Sequence, residues 1–296
     1  MKKSADKNTF EKISHVILFL VSLTSLLPFV LLLMASLTDE NVLLSKGYSF
    51  FPAKLSLSAY TYLLDQSSVI VHGYLITIFV TVVGTVVSLV ITSLFAYTLS
   101  RKDFPFSRGL TLIVYITMLF NGGLVPTYFL YSSTLGLKNT IWALLIPGLL
   151  MNGFNVMIMK TFFKNNVPEA VIESATVDGA GKFKTFYLIV LPLSLPIMAT
   201  IGLFVAIAYW NDWYNGLIYL TDSSLFSIQN ILNRIMTDAQ FLTNSNLGTN
   251  AGSIDTIPTT AVRMAIAVVG LLPILVAYPF FQKYFVKGIT LGAVKG

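Results

Sequence analysis

The sequence contains no cysteine, which excludes a disulfide framework, a thiolate metal site and a cysteine nucleophile anywhere in its 296 residues. Histidine is almost as scarce. His15 and His72 stand far apart, and neither has a second nitrogen ligand at helical spacing, so a histidine-based metal or catalytic cluster is not expected. Charge is thin as well: Asp, Glu, Lys and Arg make up 11% of the chain, about half the share of a soluble domain. No short repeat is present, which excludes a solenoid or fibrous chain. What is present is apolar, with 55% hydrophobic residues, 22 Phe and 14 Tyr and a mean hydropathy of +0.77. That excess excludes a disordered chain and needs lipid as a solvent.

A helix that crosses a bilayer needs about 20 apolar residues and tolerates very few ions. Six runs free of Asp, Glu, Lys and Arg meet that need: Ile13 to Thr38, Gly73 to Ser100, Gly109 to Leu137, Asn139 to Met159, Thr185 to Asn211, and Met264 to Gln282. The first is preceded by Lys2, Lys3 and Lys7 but is longer than the apolar region of a cleaved signal peptide and lacks a small-residue cleavage site, so it reads as a retained anchor and first span. The expectation is an all-α polytopic membrane protein of six spans, residues 1–296 forming one transmembrane domain.

The distribution of Lys and Arg sets the orientation, because basic residues beside short loops stay on the cytoplasmic side. With both termini cytoplasmic, fourteen of the nineteen Lys and Arg fall inside, among them Arg101, Lys102, Lys160, Lys164, Lys182, Lys184 and Lys283. The net charge of +6 therefore reads as topology rather than as a nucleic-acid footprint. Three connections are long. Asp39 to His72 reads as an outer cap with a short amphipathic stretch at Tyr60 to Leu64. Residues 212–263 read as an outer loop, too polar to cross and open to a partner. Residues 160–184 form an inner segment.

That inner segment carries helix punctuation. Pro168 suits a first helical turn, Glu169 complements the positive end of the helix dipole, and Gly179 suits a left-handed closing position. A helix of about ten residues is predicted between them, with Val167, Val171 and Ala175 on one stripe. Lys182, Phe183 and Lys184 then lead into a second helix that enters the membrane before Pro192 and Pro196. Physics alone allows either a force-transmitting helix or an amphipathic helix lying on lipid headgroups.

Glu173-Ser174-Ala175, then Asp178-Gly179-Ala180, Phe186, Ile189, Pro192 and Pro196 resemble the EAA motif of permease subunits in binding-protein-dependent ABC importers. The ending from Gln282 to Gly288, with Gly292 to Gly296, is similar to the tail of the sugar-importing branch. Asn121 to Tyr128 and Tyr209-Trp210-Asn211-Asp212-Trp213 resemble members that take up oligosaccharides or polysaccharides. The likeness covers essentially the whole chain, of the second maltose permease subunit type, with Ser174 replacing the motif's alanine.

The resemblance implies a bacterial inner-membrane importer. In it this chain works with a homologous second permease subunit, two ABC ATPase subunits and an extracellular or periplasmic solute-binding protein. Glu173, Ser174, Ala175, Asp178, Gly179 and Ala180 would form the coupling helix docked on one ATPase. Residues 283–296, with Lys287, Gly288, Gly292 and Lys295, would contact the ATPases, where physics alone suggests a basic segment on anionic lipid. ATP and Mg would be bound by the partners. Gly179-Ala180-Gly181-Lys182 is no phosphate loop, because Phe183 follows the lysine and no glycine stands five residues before Gly181. The chain is thus read as a transport subunit and not an enzyme, with no catalytic residue and no metal site.

A secondary carrier or channel is the competing class, and it usually keeps ionisable groups at mid-membrane; the six runs contain no Asp, Glu, Lys or Arg. Two constellations remain open as sugar contacts. Asn121, Gly122, Gly123 and Pro126 break the third run, which fits either a broken helix facing a cavity or the end of a short span turning onto the surface. Tyr209, Trp210, Asn211 and Trp213, with Tyr128 nearer the first break, offer stacking faces and hydrogen-bonding groups, but an interfacial aromatic belt accounts for the Tyr209 cluster slightly better.

Overall fold

The computed structural model describes residues 2–65, 67–244 and 260–273, together with 275, 276 and 279. In chain order the helices are α1 (Lys2–Ser36), α2 (Glu40–Lys46), α3 (Ser58–Asp65), α4 (Ser67–Ser100), α5 (Ser107–Leu119), α6 (Leu124–Phe129), α7 (Trp142–Leu145), α8 (Gly153–Asn166), α9 (Glu169–Val177), α10 (Lys182–Thr185), α11 (Leu191–Leu193), α12 (Leu195–Trp210), α13 (Tyr214–Tyr219), α14 (Ile228–Asn244) and α15 (Thr260–Pro273). Among the described residues the only extended pairing is one isolated bridge, Thr38 to Leu55. The all-α expectation therefore holds.

Two unbroken apolar helices are long enough to cross a bilayer, Phe10–Ser36 and Ser67–Ser100. Both follow from uninterrupted apolar runs. The third and fifth runs are bent: Ser107–Leu119 meets Leu124–Thr134 at 114°, and Lys182–Leu193 meets Leu195–Trp210 at 84°. Each bend has a local cause. Gly123 stands at φ +84°, and its N–H donates to Asn121 Oδ1 at 2.8 Å; at the second bend Ser194, between Pro192 and Pro196, leaves the helical region at φ −106°, ψ 9°. Since α5 has 13 residues and spans about 20 Å, the third run is a short limb that turns back rather than a continuous span.

The fourth run needs correction. Asn139 to Met159 is not one helix: after α7 the chain turns at Pro147 and Gly148, the latter at φ +71°, and a new helix starts at Asn152, whose Oδ1 accepts from the N–H groups of Phe154 and Asn155. The helical segment is displaced to α8, so Lys160 and Lys164 lie on it and not in a connection. Lys160 is accommodated because its Nζ donates to Thr111 Oγ1 of α5 at 2.6 Å. The two helices also approach closely at the start of α8, a Cβ at Gly153 having Met118 Cγ at 2.8 Å.

The described residues divide into two compact units. In the unit of residues 2–65 and 67–70 with 234–244 and 260–273, α1 exposes apolar side chains along its length, as a lipid-facing helix does. Ser36 and Tyr60 share a hydrogen bond of 2.8 Å, and Glu40 caps α15 by accepting from the Thr260 and Ala261 N–H groups at 2.9 and 2.8 Å. The short stretch expected at Tyr60 to Leu64 is present within α3. In the other unit, residues 71–233, the core is built from Ala96, Leu99, Leu144, Val156, Met159, Val190 and Ile201, each nearly or fully buried.

Candidate functional site

The sequence-predicted inner helix is α9. Pro168 is its N-cap and Glu169 its first residue. At the other end the Gly179 N–H donates to Thr176 O at 3.1 Å and the Ala180 N–H to Ala175 O at 2.9 Å, the reciprocal pair of a Schellman closure, with Gly179 at φ +78°. A side chain at Gly179 would meet open space, so the cost of replacing it is conformational. Val167 and Ala175 are buried as expected, but Val171 is exposed and Ile172 turns inward instead. Glu173 and Ser174 lie on the exposed face, and the closing turn presents Val177 at 86% exposure, with Phe183 at 81% just beyond.

Beside α9 lies an open cleft of about 420 Å³ walled by the ends of α4 and α8. Arg101, Lys102 and Lys164 bring positive charge to it, Asp103, Glu169 and Glu173 negative charge. A strap of ion pairs runs along this edge. Arg101 holds Asp103 through two 2.7 Å hydrogen bonds, Nε to Oδ1 and NH2 to Oδ2; Lys102 pairs with Glu169 at the start of α9; Lys182 lies 3.7 Å from Asp103. The hydrogen bonds from Arg101 hold the Asp103 carboxyl below the usual carboxylate range, and Asp103 in turn holds the guanidinium more firmly protonated. The bond to Glu169 likewise raises the Lys102 ammonium.

Behind the strap stands Tyr97, buried on α4. Its ring lies 6.1 Å from Phe163 in an edge-on arrangement and 5.2 Å from Phe186, tilted by 39°. Its hydroxyl accepts from Arg101 NH1 at 2.9 Å. Contacts of this kind contribute about 0.5–1.5 kcal/mol each beyond the area they bury. Sequence reasoning placed Arg101 and Lys102 only as inner-face charge and missed Tyr97; the one available signal was the four-residue spacing that puts Tyr97 and Arg101 on one helical face.

The proposed sugar contacts are distributed differently. Tyr209 is 2% exposed, its hydroxyl donates to Leu145 O at 2.8 Å and its ring fills the space above Gly84, so here it packs the core. Trp210 is half-buried, 6.4 Å from Tyr74. Asn211 donates to Ile207 O within its own helix. Trp213 keeps an exposed face and meets Tyr214 edge-on. Asn121 is occupied by the Gly123 turn, and Tyr128 stacks on Tyr219 at 5.9 Å and 9°, a residue outside the sequence motif. Nor is 212–263 a plain loop: it contains α13 and α14, joined to the core by Asn215 Nδ2 donating to Pro147 O at 3.0 Å and the Ile228 N–H to Thr77 Oγ1 at 2.8 Å. Asp212, just past α12, is pushed above the usual carboxylate range by burial, and its Oδ2 has no partner among the described residues. Residues Lys287, Gly288, Gly292 and Lys295 of the tail lie outside the described residues. No group of three or more metal-ligating side chains occurs among the described residues.

Comparison with known proteins follows the same lines. The chain is 40% identical over 287 residues to the polygalacturonan/rhamnogalacturonan transport system permease protein YtcP of Bacillus subtilis (strain 168), covering 97% of this chain and 98% of that one. It is 38% identical over 282 residues to protein LplC of the same organism, covering 95% and 93%. Among solved structures it matches a chain of a bacterial ABC transporter involved in import of the acidic polysaccharide alginate, with a TM-score of 0.78, 30% identity and coverage of 94% and 97%. Residues 4–291 match the family described as binding-protein-dependent transport system inner membrane component, and to that family this chain belongs.

Proposed function

We propose that this chain is one of two homologous permease subunits of an ATP-driven importer, that it lines half of the pathway for an oligosaccharide or a fragment of an acidic polysaccharide, and that α9 couples the pathway to an ATPase. An external solute-binding protein delivers the sugar, and two ABC ATPase subunits bind ATP and Mg. The termini and α9 face the cytoplasm in this reading, as the basic residues require. Support for the cargo comes from the relatives, transport permeases and not enzymes, of which one is named for polygalacturonan and rhamnogalacturonan and another belongs to an alginate importer.

The observation that carries the coupling role is the form of α9. A short helix closed at Gly179, with one ion pair from Lys102 to Glu169 at its start, leaves Glu173 and Val177 exposed, and Phe183 of α10 is exposed just beyond it. An interfacial helix would lay its apolar residues on lipid; a docking helix inserts them into a partner. The cysteine-free background makes the test direct. In membranes expressing the whole importer, Val177→Cys should be cross-linked to an ATPase subunit carrying a cysteine in its permease-facing cleft. Purification of the chain with no ATPase attached would overturn the assignment.

A further inference from the structure

The segment from Pro168 to Lys184 leaves the bundle at α8 and returns at α10, so its two roots are the end of α8 and the turn that follows α10. Phe163 lies at the first root and Phe186 at the second. Both rings pack on one side chain, Tyr97, at 6.1 and 5.2 Å. That side chain belongs to α4, an unbroken helix of 34 residues. Its position is fixed from the far side: Arg101 NH1 donates to the Tyr97 hydroxyl at 2.9 Å while the guanidinium carbon stands 5.7 Å from the ring centroid. The same arginine grips Asp103, which Lys182 approaches from the exit of the segment, and the adjacent Lys102 grips Glu169 at its entry.

We infer that Tyr97 is a positioning residue for coupling, the hub through which displacement of α9 is passed to α4. The geometry calls for this because a short helix on two chain crossings can otherwise rock about them without moving the spans. One aromatic ring wedged between both crossings removes that freedom. Interiors transmit strain because they are close-packed, and at Tyr97 the entering and leaving limbs share a neighbour. The exposed pair of Lys102 with Glu169 at the entry of α9 is weak enough to yield as α9 moves. The ring carries the displacement and the hydroxyl holds the ring in register.

This inference rests on the coupling role proposed for α9, and the experiment separates the two. The complete importer, with partner subunits free of cysteine, is purified and placed in lipid nanodiscs; nitroxides are attached at Val90→Cys on α4 and Val171→Cys on α9, both exposed. Pulsed electron resonance then reads their separation without nucleotide and with ATP and vanadate. The parent chain should give one narrow distance common to both states, because α4 and α9 move together. Tyr97→Ala should broaden that distance and make it nucleotide-dependent while the ATPase still co-purifies; Tyr97→Phe, which keeps the ring, should restore the narrow distribution. Tyr97→Leu is read in the same way should the alanine chain fail to insert. An unchanged narrow distance in Tyr97→Ala or Tyr97→Leu, with the ATPase bound, overturns the hub. Loss of the ATPase from the parent chain overturns the coupling role, and the hub with it.

Discussion

Two regions of the same unit, separated by twenty residues and roughly 30 Å along α4, are held by opposite means. Around Tyr97 the contacts are aromatic faces and exposed ion pairs: Arg101 with Asp103, Lys102 with Glu169, Lys182 near Asp103. Around Thr77 they are neutral hydrogen bonds with buried partners, from Ile228 N–H to Thr77, from Asn215 to Pro147 O and from Tyr209 to Leu145 O. Exposed ion pairs stabilise little and are weakened by salt, whereas a buried polar group left without its partner costs about 1–3 kcal/mol. The first region can change partners as it moves. The second is built to stay still.

The carboxylates make the same contrast. Asp103 is lowered by Arg101, and Asp212 is raised by burial. A lowered acid contributes stability above its unfolded value that is lost only as pH falls through the folded one; a raised acid contributes stability below its unfolded value that is lost as pH rises through the folded one. At neutral pH Asp103 therefore supports its region, and Asp212 burdens its own.

The largest expected effect is at the closing turn of α9. Gly179→Val forces a β-branched residue to φ +78°, costing about 1–2 kcal/mol locally and undoing the Schellman closure. Membrane insertion should persist while ATP-driven uptake in proteoliposomes falls by roughly tenfold or more, the factor that 1.4 kcal/mol represents. Next, Asn215→Leu and Gly84→Val should lower thermal stability by about 1–3 kcal/mol, one by leaving Pro147 O unpaired, the other by crowding Tyr209; this loss should not depend on salt. Asp212→Asn should raise the melting temperature at pH 7 and leave it nearly unchanged near pH 4. The smallest effect is Lys102→Ala, which should leave stability intact and reduce coupling only at low ionic strength. A salt-dependent Asn215→Leu or a salt-independent Lys102→Ala would dissolve the contrast between the regions.

Helix α9 was legible because capping is local chemistry: Pro168 and Gly179 act on their own neighbours, Gly179 closing the helix as expected and Pro168 standing one residue earlier than expected, as the N-cap. Helices α1 and α4 were legible because their runs are unbroken. The fourth run misled because freedom from charge says nothing about Pro147, Gly148 and the Asn152 cap inside it, and because Lys160 was taken as a boundary although Thr111 receives it. Tyr209 was indistinguishable from an interfacial aromatic, since what buries it is Gly84, more than a hundred residues away. Tyr97 offered only its four-residue spacing from Arg101. Its partners Phe163 and Phe186 meet it only in the folded bundle.

Cross-linking from Val177→Cys in membranes containing the assembled importer tests the coupling account most directly. The account predicts a disulfide to a cysteine placed in the ATPase cleft, formed in the parent background and lost when Gly179→Val is added. A chain that inserts and binds its partner permease, yet leaves Val177→Cys open to lipid-soluble thiol reagents and never joined to the ATPase, would contradict it.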